Sequence, residues 1–151
     1  MAAAQDGEKS GPQPNLLDTI VGYQLRRASN AMMSDSAAVM APVGLRPVLF
    51  AMLCVIRSAP GIIQIALGTQ LGIQRANLVP LVNELTARNL IERRPAPNDR
   101  RALALFLTPD GERLLAEAQS LVLRHEQRML AGLGDGERQA LLRLLAKIKI
   151  D

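Results

Sequence analysis

Residues 90–111 read LIERRPAPNDRRALALFLTPDG, and this pattern decides what the rest of the chain must be. Ile91-Glu92-Arg93-Arg94 reads as a short strand, and residues 102–107 as its partner, with Leu103, Leu105 and Leu107 on one face. Between them Pro95-Ala96-Pro97-Asn98-Asp99-Arg100-Arg101 concentrates turn formers and predicts a hairpin tip. Thr108-Pro109 predicts a helix start. A threonine hydroxyl caps the free amides of a first turn, and proline at the first helical position gives up an N–H that would have no partner there.

Upstream of the hairpin, residues 63–71 predict a short helix, Gly72-Ile73 a turn, and residues 74–88 a second helix. Asn89 then stands where a left-handed cap residue is wanted; glycine is usual there and asparagine is its best substitute. Before this segment, residues 46–57 carry Val48, Leu49, Met52, Leu53 and Ile56 at helical spacing, with Pro47 in the first turn. Pro42-Val43-Gly44 and Ser58-Ala59-Pro60-Gly61 are breaks. A first helix, from about residue 16 to 38, begins with Leu16, Leu17, Ile20, Val21, Tyr23 and Gln24, and residues 1–14 read as a disordered arm.

Downstream, a long helix from Pro109 to about Leu130 carries a stripe of Leu114, Ala118, Leu121 and His125, with Leu115, Val122 and Met129 beside it at seven-residue intervals. Gly132 to Gly136 ends it, Asp135 is expected to cap the last helix, and Leu141, Leu142, Leu144, Leu145 and Ile148 supply that helix's apolar side. There is no internal repeat. Helix, helix, helix-turn-helix, hairpin, long helix, helix is the order of a winged helix-turn-helix: mainly α with a small β-hairpin wing (α+β), flanked by N- and C-terminal helices. Two residues sit awkwardly in this scheme. Pro80 lies seven residues into its helix, so either the helix starts later or it kinks near Ala76. Gly68 in the preceding helix costs about 1 kcal/mol relative to alanine.

Composition restricts the partners. The chain has 151 residues, 48% hydrophobic and 21% charged, which is enough apolar content for a packed core. Tyr23, Phe50 and Phe106 are the only aromatics, too few for a platform that stacks single-stranded bases. Only Lys9, Lys147 and Lys149 are lysines, so fifteen of the 18 basic residues are arginines, whose planar donors suit phosphates and guanine edges. Of the net charge of +4, a local +3 lies in residues 74–101, where Arg75, Arg88, Arg93, Arg94, Arg100 and Arg101 face Glu84, Glu92 and Asp99. Charge on a helix-turn-helix and its hairpin points to duplex DNA.

Single copies of Cys54 and His125 exclude an internal disulfide, a multi-cysteine cage and a histidine pair, and no phosphate-binding glycine loop or paired-carboxylate motif is present. The chain is therefore expected to be no enzyme and to need no metal or cofactor. The N-terminus lacks the pattern of a signal peptide, and the longest uncharged apolar run, residues 48–56, is too short for a bilayer. The expectation is a soluble, cytoplasmic protein with no membrane partner.

The segments Leu71-Gly72-Ile73, Leu81-Val82-Asn83-Glu84-Leu85, Leu90-Ile91-Glu92-Arg93-Arg94, Asn98-Asp99-Arg100-Arg101-Ala102 and Leu107-Thr108-Pro109-Asp110-Gly111 together resemble the MarR family of multiple-antibiotic-resistance regulators. The resemblance runs from about Leu16 to the C-terminus. It implies one MarR-like domain over residues 15–151, with a DNA-binding lobe at about 45–108 and dimerisation helices at 15–40 and 109–151. Asp99 resembles the wing acid that holds a basic partner, and Arg101 the wing arginine that enters the minor groove; Arg100 then falls beside a phosphate, although either arginine could point inward. Arg93 and Arg94 belong to the same basic surface. At the start of the recognition helix Gln74, Arg75 and Asn77 are candidates for base edges or phosphates, glutamine and asparagine suiting adenine and arginine guanine.

Apolar surface on the terminal helices exceeds what one small winged domain can cover, and the spacing of Leu115, Val122 and Met129 suits packing against a second copy. The resemblance implies a homodimer on a pseudo-palindromic operator, most often a repressor released by a small ligand such as an aromatic or phenolic acid or its CoA thioester. Candidate ligand contacts are Tyr23, Arg26, Arg27, Phe50 and His125, with Cys54 near Phe50 in sequence. Cys54 itself lies in an apolar run and reads as an inert packed thiol. The competing expectation is a winged-helix module for protein–protein contacts, which would have no need of Asp99, Arg100 and Arg101 at the tip.

Overall fold

The computed structural model describes residues 15–96 and 99–148, for residues 99–101 the backbone alone. The expected arm, residues 1–14, lies outside the described residues. The chain divides into two units, residues 1–34 and 35–151. The first contains α1 (Leu16–Thr19) and the beginning of α2 (Val21–Met40). Asn15 caps α1 by accepting from the Leu17 amide, and Ile20 leaves helical geometry with ψ 107, so the single first helix expected from the sequence is broken there. In this unit no described residue is buried.

The second unit holds the core. A 3-10 turn (Ala41–Val43) leads to Gly44 and then to α3 (Pro47–Ser58), which starts on Pro47 and buries Leu49, Met52, Leu53 and Ile56. A two-residue strand, β1 (Ile62–Ile63), follows the Pro60-Gly61 turn, where the sequence had placed only the beginning of a helix. Next come α4 (Gln64–Leu71), the turn at Gly72 and Ile73, and α5 (Arg75–Ala87), one unbroken helical span with Pro80 inside it. Strands β2 (Ile91–Ala96) and β3 (Asp99–Leu107) form the hairpin, and β1 joins the other edge of β3, giving an antiparallel sheet of order β1-β3-β2. Its register pairs Arg93 with Leu105 and Ile62 with Leu105 across the two edges.

Two helices complete the chain: α6 (Pro109–Met129) and α7 (Asp135–Leu145). The buried stripe of α6 is Gly111, Leu115, Ala118 and His125, so Leu114 and Leu121 fall to its half-buried border. Asp135 does not cap α7. Gly134 occupies the cap position, and its amide donates to the Glu137 carboxylate at 2.7 Å.

The core joins Leu49, Leu53 and Ile56 of α3 to Leu67 of α4, Leu78, Val82 and Leu85 of α5, Ile91 and Leu105 of the sheet and Leu115 of α6. Burying each such side chain contributes about 1.5–3 kcal/mol. Two glycines set how closely these elements approach. A Cβ on Gly68 would come within 2.8 Å of a Leu78 methyl and 3.1 Å of the Ile73 carbonyl oxygen, so the residue that looked like a helix weakness lets α5 seat on α4. At Gly111 a Cβ would fall 2.0 Å from the Leu90 carbonyl oxygen, which is backbone and cannot move aside.

Around Gly111 lies a clasp between the end of α5 and the start of α6. Asn89 adopts the left-handed conformation expected of it, with φ 55. The Thr108 hydroxyl donates to the Asn89 carbonyl at 2.5 Å and accepts from the Gly111 amide at 3.0 Å. The Thr108 amide donates to the Leu90 carbonyl at 3.1 Å, and the Asn89 side-chain amide donates to Asp110 at 2.9 Å. Thr108 is buried, so its hydroxyl and amide are satisfied where water does not reach easily, while the Asn89–Asp110 bond closes the exposed rim.

Candidate nucleic-acid interface

Helix α5 begins at Arg75 because Gln74 is still extended, with φ −62 and ψ 144, and it makes no side-chain capping bond. Gln74, Arg75 and Asn77 are all exposed. Gln74 and Arg75 line a recess of about 610 Å³ that also takes in Ile65 and Thr69 of α4, Leu78 and Val79 of α5, and Ala102 and Leu103 of β3. The start of the second helix of the helix-turn-helix and the wing strand thus border one concave surface. Leu103, expected to share one face with Leu105 and Leu107, is 41% exposed on this surface, whereas Leu105 is fully buried.

Arg93 and Arg94 stand on β2 with different partners. Arg93 is half-buried and donates to the side-chain oxygen of Asn83, which braces the wing strand against α5. Arg94 is exposed, pairs with Glu92 and lies over the Phe106 ring at 4.6 Å from its centroid. Glu84 on α5 is shared by Arg46 and Arg88, the latter at 3.9 Å. Part of the local positive charge is therefore used inside the fold, while Arg75 has no carboxylate partner among the salt bridges of the described residues. The side chains of Asp99, Arg100 and Arg101 lie outside the described residues; their backbone belongs to β3, with Asp99 paired to Ala96.

The ligand candidates divide between the two units. On α2, Tyr23 is half-buried and Arg26 and Arg27 are exposed, with the Arg26 guanidinium 5.4 Å from the Tyr23 ring centre. In the second unit Phe50 packs against the core from α3. His125 is buried on α6; its Nε2 has no hydrogen-bond partner, and the Asp35 carboxylate lies 4.0 Å away. Burial pushes the Cys54 thiol above its ordinary pKa, against a smaller opposing pull from Arg57, in keeping with an unreactive thiol. Among the described residues no cluster of histidine, cysteine or carboxylates could hold a metal ion, and no single helix is long and apolar enough to cross a membrane.

Sequence reasoning selected the polar residues at the start of α5 and passed over the helix's outward side. With Leu78, Val82 and Leu85 buried, that side consists of Ala76, Pro80, Asn83 and Ala87, all exposed. The apolar periodicity of the helix was the signal that could have found it.

A helix-turn-helix whose second helix shares a surface with a three-stranded antiparallel wing defines a winged-helix protein. The MarR family model matches residues 45–103. A protein of Thauera aromatica, assigned as a transcriptional regulatory protein for the hcr operon, is 36% identical over 129 residues, 85% of this chain and 78% of that one. The transcriptional repressor CouR, solved bound to a 23-mer DNA duplex, is 39% identical with a TM-score of 0.81, covering 91% of this chain and 97% of that one. CouR bound to p-coumaroyl-CoA is 38% identical with a TM-score of 0.74, covering 86% and 91%. The chain belongs to the MarR family, whose members are transcriptional regulators and not enzymes.

Proposed function

We propose that this chain is a homodimeric repressor that binds a pseudo-palindromic operator and is released from it by the CoA thioester of an aromatic acid. The observation that carries this reading is the likeness to CouR along almost its whole length, in a protein solved both on DNA and with p-coumaroyl-CoA. Helix α5 enters the major groove, with Gln74, Arg75 and Asn77 at its leading end, and the wing lies at the neighbouring minor groove. There Arg101 inserts its guanidinium, which sheds water more readily than an ammonium, Asp99 holds a basic neighbour, and Arg100 meets a phosphate. Arg93 and Arg94 add positive charge along β2.

Exposed apolar side chains on the terminal helices support the homodimer. Leu16 and Val21 on α1 and α2, and Leu142 and Leu144 on α7, are each more than half exposed in the single chain. Two copies place two recognition helices about one DNA turn (~34 Å) apart. For the ligand, Arg26 and Arg27 suit the phosphates of a CoA thioester, Tyr23 and His125 a phenol or carbonyl, and Phe50 an aromatic ring. Ligand favours a dimer geometry in which the helix spacing no longer matches successive major grooves.

A mobility-shift titration on the DNA upstream of the protein's own gene tests this, with p-coumaroyl-CoA, benzoyl-CoA and the free acids added in turn. Release by a thioester at micromolar concentration, and not by its free acid, is the expected result. A shift that no thioester reverses removes the ligand assignment. No shift on any duplex at low salt removes DNA binding itself and leaves the winged lobe as a protein-contact module.

A further inference from the structure

The outward side of α5 is poor in hydrogen-bonding groups for a helix that reads bases. A step of about 100° per residue places Ala76, Pro80, Asn83 and Ala87 opposite the buried Leu78, Val82 and Leu85. Val79, 40% exposed, borders that strip on the side of Arg75. The only polar side chain at the strip's centre is Asn83, and its oxygen already accepts from Arg93. Apolar character continues past Val79 into the recess, where Ile65 is 66% exposed and Leu103 is 41% exposed. The result is an apolar reading strip with Arg75 on one flank and Arg93 on the adjoining strand.

That combination suits one feature of duplex DNA. In the major groove the apolar group is the thymine 5-methyl, and small side chains allow a helix backbone to approach it closely. Pro80 adds a second element. It has no N–H, so the Ala76 carbonyl lacks its usual intrahelical donor on the same side of the helix. An adenine N6 amino group, presented by the same A·T pair as a thymine methyl, is a donor for it.

Building on the duplex-DNA reading above, we propose that α5 reads A·T pairs by their methyl groups. Ala76, Val79 and Pro80 pack against thymine 5-methyls in each half-site, and the Ala76 carbonyl accepts from an adenine amino group. Sequence preference in the major groove then rests on these contacts, with Arg75 on the strip's flank supplying affinity through a phosphate.

The test uses the full chain and duplexes selected by it from a random 24-base-pair library. Each thymine in the selected half-site is replaced by deoxyuridine, which keeps base pairing and removes only the methyl. Binding should weaken about 3–4-fold per contacted thymine, the value for one buried methyl group, with the salt dependence unchanged because no phosphate contact is lost. Val79→Ala, at a partly exposed position, should abolish the penalty at one thymine and leave the others. A tightly bound selected duplex that shows no loss at any deoxyuridine overturns the methyl reading while DNA binding stands. Failure to enrich any sequence, with weak and uniformly salt-sensitive binding, overturns both.

Discussion

Helices α3 to α5, the sheet and the start of α6 bury Leu49, Leu53, Leu85 and Leu105 completely, whereas α1 and α7 bury no residue at all. Both regions are rich in leucine, so composition does not account for the difference. The winged region closes on itself through close-fitting glycines and a satisfied polar clasp. On α7 apolar side chains stay exposed among the described residues. Scattered exposed leucines are ordinary on a protein surface, but on α7 and just beyond it Leu142, Leu144, Leu145 and Ile148 are exposed within seven residues. The contrast teaches that the winged region completes its own core, whereas α7 keeps an apolar side available to the homodimer proposed above.

The strongest way to break the winged region is Gly111→Ala. A methyl 2.0 Å from the Leu90 carbonyl forces the backbone apart, with an expected loss of about 3 kcal/mol or more and a fall in Tm of about 6–12 °C by calorimetry. An unchanged Tm would mean that the clasp is looser than its geometry. Helix α7 should fail differently. Leu142→Glu with Leu145→Glu should leave far-UV circular dichroism intact, shift sedimentation to monomer and weaken operator binding about 100-fold, since each half-site is then held alone. A dimer that persists in this variant places the interface elsewhere.

Within the lobe, Arg101→Ala should weaken operator binding about 10-fold at fixed salt, read by fluorescence anisotropy, while thermal stability stays the same. Equal affinity would remove the wing from recognition. The smallest effect is expected at Cys54. Its raised pKa keeps the thiol protonated at neutral pH, so alkylation of the folded protein should be slow at pH 7 and accelerate only above the ordinary thiol range. Rapid labelling at pH 7 would show a thiol more open than its packing.

Much of the winged region was legible from single residues whose chemistry admits few uses. Asn89 predicted a left-handed turn, Thr108-Pro109 a capped helix start and the alternation around residues 91–107 a hairpin, and all three are present. Strand β1 was not legible, because two residues cannot display a period and their pairing partner lies some forty residues away. The break at Ile20 was hidden since the apolar face continues across it. Gly68 appeared as a cost because its benefit is a contact with another helix. On α5 polar residue type marks Gln74, Arg75 and Asn77, whereas burial of Leu78, Val82 and Leu85 decides which side faces outward. The side chains of Asp99, Arg100 and Arg101 rest on the family pattern alone.

The clasp at Thr108 and Gly111 also sets the direction in which α6 leaves the end of α5. From that junction the 21-residue helix runs roughly 32 Å at 1.5 Å per residue, with Leu115, Ala118 and His125 buried along it. On a rod of that length, an angle of about 5° at the clasp corresponds to roughly 3 Å near Met129. The number of residues in α6 thus sets how large a displacement any given angle at the clasp would become.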